Sequence, residues 1–363
     1  MKHLRGIIAL TLSLFALSCG KNGKNPISSN GEICEGQNGA LSSSGRWQEF
    51  NTSNSCLPHN TIRCLAIDHR NTVWIGTDEG LVSYTGAQWT IYTTENSGIP
   101  SNGVWSLACE EDTIWVGLGN DGGLAKFDGR RWTIYNSTNS PFGEILALPG
   151  SGPLELYITT LAIDSKHNVW IGTNAEGLYK FDKFNWTRYY PTFETPIGSP
   201  AIRSIDADGQ GIVWIGHAEP VGVDRFDGSS WTNYTPANSP LPYWSISDIH
   251  VDKMNVKWFA TPFGLAGFDD TSWTGNDTSN STISGENIYT IFSDSRNNLW
   301  LGAFSGVLFT NKNSEWTAYY MKDASESAQP YNTINCVVVD RDDNKWLGTY
   351  NGLYKFNENG LRN

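Results

Sequence analysis

Positive charge is scarce in this sequence of 363 residues: 25 Lys and Arg stand against 37 Asp and Glu, a formal net charge of −12. That is the wrong sign for a protein that grips nucleic acid through its phosphates, or for one held to anionic lipid by basic side chains. Charge of either sign is low at 17%, which excludes a charge-rich disordered chain. Histidine is rare, with six scattered residues and no His-rich tract. GxSxG, HExxH and GxxxxGK[ST] do not occur, so the signatures that would announce a serine hydrolase, a zinc protease or a P-loop are missing. The acidic stretch D-R-D-D-N from Asp340 lacks the rest of a calcium loop and reads as a turn. No cofactor and no metal is expected. Apolar runs long enough to span a bilayer are absent, so no transmembrane helix is expected in the mature chain. What is abundant is Gly (37), Pro (15) and Trp (16), a composition of many turns and large flat side chains that favours short strands over helices.

The N-terminus reads as a targeting segment. Lys2 and Arg5 precede the apolar run IIALTLSLFA from Ile7 to Ala16, which is too short to cross a membrane and suits a signal-peptide core. Small residues around Ser18 suit cleavage, and Cys19 at the next position resembles the lipidated cysteine of a bacterial lipoprotein. Ordinary secretion is the alternative, because Ala16-x-Ser18 also fits a signal-peptidase site. The expected organisation is a signal peptide over 1–18, a lipid-anchored flexible tether over 19–44 that is rich in Gly, Asn and Ser, and one folded body over 45–363. The membrane would then be met only through the anchor, at the outer membrane or in the periplasm.

Self-comparison of the body finds a repeat. A tryptophan opens a W-[IVFL]-G-type phrase at Trp74, Trp115, Trp170, Trp214, Trp258, Trp300 and Trp346, at spacings of 41 to 55 residues. A second tryptophan opens a W-x-x-aromatic type of phrase at Trp47, Trp89, Trp132, Trp186, Trp231, Trp273 and Trp316. Only Trp105 and Trp244 fall outside these two slots. Each unit carries an apolar run opening with Ile or Val, an Asp…Asn turn, the W-I-G run, a Gly-bearing turn, a G-L-x-K-F run and a turn such as Asp128-Gly129 before the second tryptophan. Asp-Gly between alternating apolar runs is a hairpin signal. Four short strands in about 45 residues, repeated, is a propeller blade. The last unit stops after its third strand, and an orphan fourth strand at Trp47 precedes the first. The expected fold is therefore an all-β, seven-bladed propeller of four antiparallel strands per blade, closed by the Trp47 strand joining the Trp346 blade.

The phrases D-x-x-x-N-x-W-[IL]-G-T and G-L-x-K-[FY], followed by a Pro-containing linker such as NSGIPSNGV, resemble the two-component regulator propeller repeat over about residues 45 to 357. That family supplies extracytoplasmic sensor halves of bacterial hybrid histidine kinases and some stand-alone exported proteins. The resemblance implies extracytoplasmic ligand or partner binding. This sequence shows no kinase or receiver segment and no β-sandwich after the propeller, so direct signal transduction does not carry over.

In a blade of this topology the second-to-third-strand turns and the blade-to-blade linkers share one face, and they vary from blade to blade. Binding residues tend to sit on variable loops held by a rigid scaffold. The position after each opening Ile or Val should ring the channel mouth on that face: Arg63, Trp105, Thr159, Arg203, Ser247, Tyr289 and Asn335. Trp244 and Glu286 join them from the linkers. Arginines beside exposed aromatics suit a carboxylate, a sugar or an acidic peptide; the alternative is that these side chains plug the channel. The linker from Ser140 to Tyr157 is about 11 residues longer than the others, and reads equally as a lid, a docking element or a packed loop. Deeper in the strands, Asp206 and His250 stand where other blades have Ala, Val or Phe, and Asp248 lies two residues before His250. They form either an acid–base or metal pair or, as the favoured reading, an inter-blade hydrogen-bond network. With disulfide pairing left open by the sequence, Cys34 with Cys56 is one candidate staple of tether to body in an oxidising compartment, whereas Cys64 and Cys336 share a register on neighbouring strands.

The reading favoured by these residues is a non-enzymatic protein that binds a small molecule, glycan, peptide or protein partner. The other class is a propeller lyase or glycan hydrolase, for which Asp206, Asp248, His250 and Glu286 are the acid and base candidates.

Overall fold

The structure is a computed structural model that describes residues 31–35, 39–143, 155–277, 283, 287–312, 315–321 and 332–361. The expected lipidation site at Cys19, the expected signal peptide, Glu286 and the middle of the long linker (144–154) lie outside the described residues. Within them the strands form seven antiparallel sheets, each a meander of four, arranged as the blades of a propeller. The inner strands of blades 1 to 7 are Ile62–Ile67, Val104–Glu110, Ile158–Ile163, Ile202–Ala207, Asp248–Val251, Ile288–Ser293 and Ile334–Val339. Each lies beside the inner strands of the blades before and after it, and blade 7 lies beside blade 1.

The ring is closed as the strand count requires. Trp47–Phe50 pairs with Gly352–Phe356 as the fourth strand of blade 7, with Trp47 opposite Phe356 and Phe50 opposite Leu353. The sheets take in two short runs of the segment expected as a tether over 19–44. Glu32–Cys34 adds a fifth strand to blade 1 against Trp89–Tyr92, and Ala40–Leu41 adds one to blade 7 against Gln48 and Glu49. The physical reason is covalent: Cys34 is disulfide-bonded to Cys56, which holds the short run against an outer edge that would otherwise be open. The segment therefore straddles the seam.

The two tryptophan slots form one aromatic code. Trp74 of the second strand stacks on Tyr92 of its own fourth strand and meets Phe127 of blade 2 edge-on. Phe127 in turn stacks on Trp132. The same arrangement recurs for Trp115, Trp170, Trp214 and Trp300. At the seam Trp346 stacks on Phe50, supplied by the N-terminal strand, and meets Tyr84 of blade 1 edge-on. Offset and edge-on ring pairs contribute beyond simple burial, so each blade is fastened to the next by the residues that define the repeat. Blade 5 departs from the code, with Asn276 at the aromatic slot of its fourth strand and a less buried Trp258.

The Asp…Asn turns fix the other end of the same indoles. In blade 7, Asp340 Oδ1 accepts the backbone N–H groups of Asp342 and Asn344, while its Oδ2 accepts Trp346 Nε1–H at 2.9 Å. Asp68, Asp164, Asp208, Asp252 and Asp294 do the same for their tryptophans, and in blade 2 Glu110 reaches Trp115. A buried indole N–H needs a partner, which is why the Asp-to-Trp spacing repeats. The glycine of W-x-G is equally forced: a Cβ on Gly76 would collide with Cys64 Sγ and with Val104 of the next blade.

Candidate functional site

A local irregularity aims the mouth residues. In six of the seven inner strands the ladder skips one residue after the opening Ile or Val, and the skipped residues are Arg63, Trp105, Thr159, Arg203, Tyr289 and Asn335. In blade 5 the ladder starts at Asp248, just after Ser247. A bulge of this kind leaves its extra residue free of the ladder and re-aims its side chain. All seven ring positions line one cavity of ≈ 270 Å³ at the channel mouth. Its floor is the next residue of each inner strand, including Cys64, Ser106, Thr160, Ser204, Asp248, Thr290 and Cys336, and Tyr350 closes one side. Cys64 and Cys336 are free thiols, and burial pushes both well above the ordinary thiol range.

One half of the ring is locked by its own contacts. The Nε–H and an Nη2–H of Arg63 donate to the two oxygens of Asp78, at 2.7 and 3.1 Å, and its guanidinium carbon lies 4.3 Å from the centre of the Trp105 ring. Trp105 meets Tyr157 edge-on, and its indole sits where Gly119 has no Cβ to obstruct it. The hydroxyl of Tyr157 bonds Glu155 and Asn120. Asn335 donates to Ile62 O and Thr159 to Ile202 O, so these two brace neighbouring blades as well as lining the mouth. Arg203 differs: it is exposed, and among the described residues no carboxylate pairs with it. Trp244, 39% exposed, stands on the linker outside the cavity lining, near a Tyr243–Phe263 ring contact on the same face.

The deeper polar residues are brought together but are already occupied. Asp248 accepts Ser204 Oγ–H at 2.8 Å, its own strand's Ile249 N–H at 2.9 Å and the Ile291 N–H of blade 6 at 2.8 Å. Asp206 accepts Ala207 N–H at 2.8 Å and the Val251 N–H of blade 5 at 2.7 Å. His250 Nδ1 is 3.9 Å from Asp206 Oδ2, its Nε2 is 2.8 Å from Ser293 Oγ, and its ring stacks on Phe292. Burial pushes the Asp206 carboxyl up to about 7, with the like charges of Asp248 and Asp208 adding, against the two N–H bonds it accepts. Burial pushes His250 down to about 4, offset only in part by Asp252. Near neutrality His250 is therefore an uncharged imidazole, not an acid. Of the three, only Asp248 reaches the mouth cavity.

One buried pair was missed. His217 Nε2 and Asp224 Oδ2 are 2.8 Å apart and fully buried in blade 4. Gly198 N–H and Asn233 Nδ2–H also donate to Asp224. The signal was present in VWIGH, where blades 1, 3, 5 and 7 end the phrase in Thr77, Thr173, Thr261 and Thr349. Among the described residues no group of three or more His, Cys, Asp or Glu is placed to hold a metal, and no helix is long and apolar enough to cross a membrane.

The model of the two component regulator propeller matches residues 56–79, 152–175 and 282–305. Comparison with curated proteins gives no match. Among solved structures, the extracellular domain of a hybrid two component system from B. thetaiotaomicron is similar at 17% identity and a TM-score of 0.65, covering 86% of this chain and 39% of its own. This chain thus spans about two fifths of that protein's length. Virginiamycin B lyase from Staphylococcus aureus is similar at 14% identity and a TM-score of 0.65, covering 85% of this chain and 98% of the lyase. YCF48 bound to D1 peptide is similar at 13% identity and a TM-score of 0.58, covering 88% of this chain and 99% of its own. At these identities the likeness is one of fold.

Proposed function

We propose that this chain, built of two component regulator propeller repeats, is an exported, non-enzymatic binding protein whose ligand seats at the channel mouth. The observation that carries the reading is the convergence of seven dissimilar side chains, one per blade, on a single ≈ 270 Å³ cavity, while the Asp turns near the opposite end of the strands are nearly uniform. Similarity to the extracellular domain of a hybrid two component system and to YCF48 bound to D1 peptide supports binding as the use of this fold. The Cys34–Cys56 disulfide supports an oxidising compartment. Cys19 is the lipid anchor in this reading, and residues 1–18 are removed.

Lyases of similar fold keep an enzymatic reading in view. The acid–base candidates argue against it: Asp206 and His250 do not line the mouth cavity, and Asp248 spends its oxygens on Ser204 and two backbone N–H groups. Trp105, outside the two repeated slots, is the natural reporter. Titration of small acids, sugars and peptides should quench its emission and fail to do so in Trp105→Phe. Chemical turnover of any titrant, or binding unaffected by Trp105→Ala and Tyr289→Ala together, refutes the proposal. Mass spectrometry of the membrane fraction tests the anchor: Cys19→Ser should lose a lipid mass and release the protein.

A further inference from the structure

Resting on the mouth as the binding site, we infer that Arg203 is the anchor of a carboxylate subsite and that the ligand is a small monoanion. The ring presents two guanidinium groups, and they are not equivalent. Arg63 has its Nε–H and one Nη2–H committed to Asp78, and Trp105 lies against one face. A ligand oxyanion meeting it would have to displace a neutralised, two-point pair. Arg203 lines the same cavity, is an exposed residue, and has no carboxylate partner among the described residues.

Position favours this further. The bulge between Ile202 and Ser204 puts Arg203 on the mouth side of its strand. Thr159 and Ser247 occupy the equivalent positions on the two neighbouring blades. The Thr159 hydroxyl donates to Ile202 O at 2.7 Å, which fixes the backbone beneath Arg203. A planar guanidinium without a carboxylate partner, on a backbone fixed in this way, is suited to two parallel N–H···O bonds with a carboxylate.

The charge of the surroundings points the same way. The chain as a whole carries −12, yet the cavity lining has two arginines, of which Arg63 is neutralised by Asp78, and a single carboxylate, Asp248. Asp248 lies on the floor and is occupied by Ser204 and backbone N–H groups, and its burial favours the neutral form. Among the described residues the mouth thus keeps one cation without a carboxylate partner, Arg203, on an acidic protein, and the rest of the rim mixes aromatic Trp105, Tyr289 and Tyr350 with polar Thr159, Ser247 and Asn335. A cavity of ≈ 270 Å³ lies just under the roughly 300–1,000 Å³ typical of drug-sized ligands. It suits one carboxylate on one ring, not a polyanion.

Benzoate and benzyl alcohol form the test, since they share a ring and differ in the anion. Both are titrated into the intact protein while the arginine Nε–H and tryptophan Nε1–H resonances are followed by NMR. The expected result is a saturable shift of Arg203 with benzoate, little change of Arg63, and a loss of benzoate affinity of about tenfold in Arg203→Gln, the worth of a charge-assisted contact. Benzyl alcohol should bind more weakly and ignore the substitution. If both probes shift Trp105 with equal affinity and Arg203→Gln changes neither, the carboxylate subsite is overturned while the mouth survives as a binding site. If neither probe moves any ring residue, the carboxylate inference falls and the mouth reading loses its support with it. Arg203→Lys separates charge from fork geometry: benzoate affinity should fall in Lys too, and full retention would overturn the two-point contact.

Discussion

Replacing the members of the Asp206–His250 pair one at a time should turn a contribution that is flat with pH into two opposite slopes. Burial pushes Asp206 up to about 7 and His250 down to about 4. In the unfolded chain the same groups titrate at about 3.9 and about 6.5. Between about pH 4.5 and pH 6, the folded pair therefore holds one proton, on Asp206, and the unfolded pair also holds one, on His250. Unfolding neither takes up nor releases a proton through this pair, so the pair adds no pH dependence there. In His250→Gln only the Asp206 proton remains. The folded state holds it, the unfolded state does not, and stability falls as pH rises. In Asp206→Asn the unfolded state binds a proton on His250 that the folded state refuses, and stability rises with pH. Each slope approaches one proton, about 1.4 kcal/mol per pH unit, so over that window the two variants diverge by about 4 kcal/mol at most. Channel water, which reaches 30% of the Asp206 side chain but only 16% of His250, screens the first slope more than the second. Urea unfolding of the three proteins at fixed ionic strength measures this, and the remaining carboxylates cancel in differences from the parent. Profiles for both variants that run parallel to the parent within about 0.5 kcal/mol would refute the reasoning.

Phe50→Ala should cost about 3–5 kcal/mol, because Phe50 is 1% exposed and touches Tyr84, Trp89 and Trp346 across the seam; calorimetry should show one lowered transition, and a cost below about 1 kcal/mol would mean that the N-terminal strand does not close the ring. Cys56→Ser should lose about 3 kcal/mol by opening a loop whose ends are 22 residues apart, and the loss should match that seen when the parent is unfolded under reducing conditions. Asp340→Ala should cost about 3 kcal/mol by stripping partners from the Trp346 indole and the Asn344 backbone, whereas Asp342→Ala in the same turn should stay within about 0.5 kcal/mol.

The number of blades, the closing strand and the Trp and Asp slots were legible because each is repeated: a spacing that recurs around the ring is a measurement, and the unpaired fourth strand at Trp47 had only one place to go. The fifth strands were not legible. Glu32–Cys34 and Ala40–Leu41 are too short to carry a period, and the edge that Glu32–Cys34 covers is made by residues far along the chain. The mouth was legible as a ring but not as chemistry. Register alone puts Arg63 and Arg203 in equivalent positions, and it takes the turn that carries Asp78 to make one spent and the other available.

The polar cluster shows the same limit from the other side. Register brings Asp206 and His250 together, as the favoured network reading required, but the decisive partners are main-chain groups of the next blade, Val251 N–H and Ile291 N–H. The side of an inner strand that faces the channel has no neighbouring strand to complete its ladder, so its backbone groups seek side chains. Elsewhere in the ring the traffic is reversed: Ser106, Thr159 and Asn335 donate to the carbonyls of Ile158, Ile202 and Ile62. A carboxylate in this position is drawn to the N–H groups for the same reason that a hydroxyl is drawn to the carbonyls. An acidic residue on an inner propeller strand should therefore be weighed against the free N–H groups of the next blade before it is assigned to catalysis.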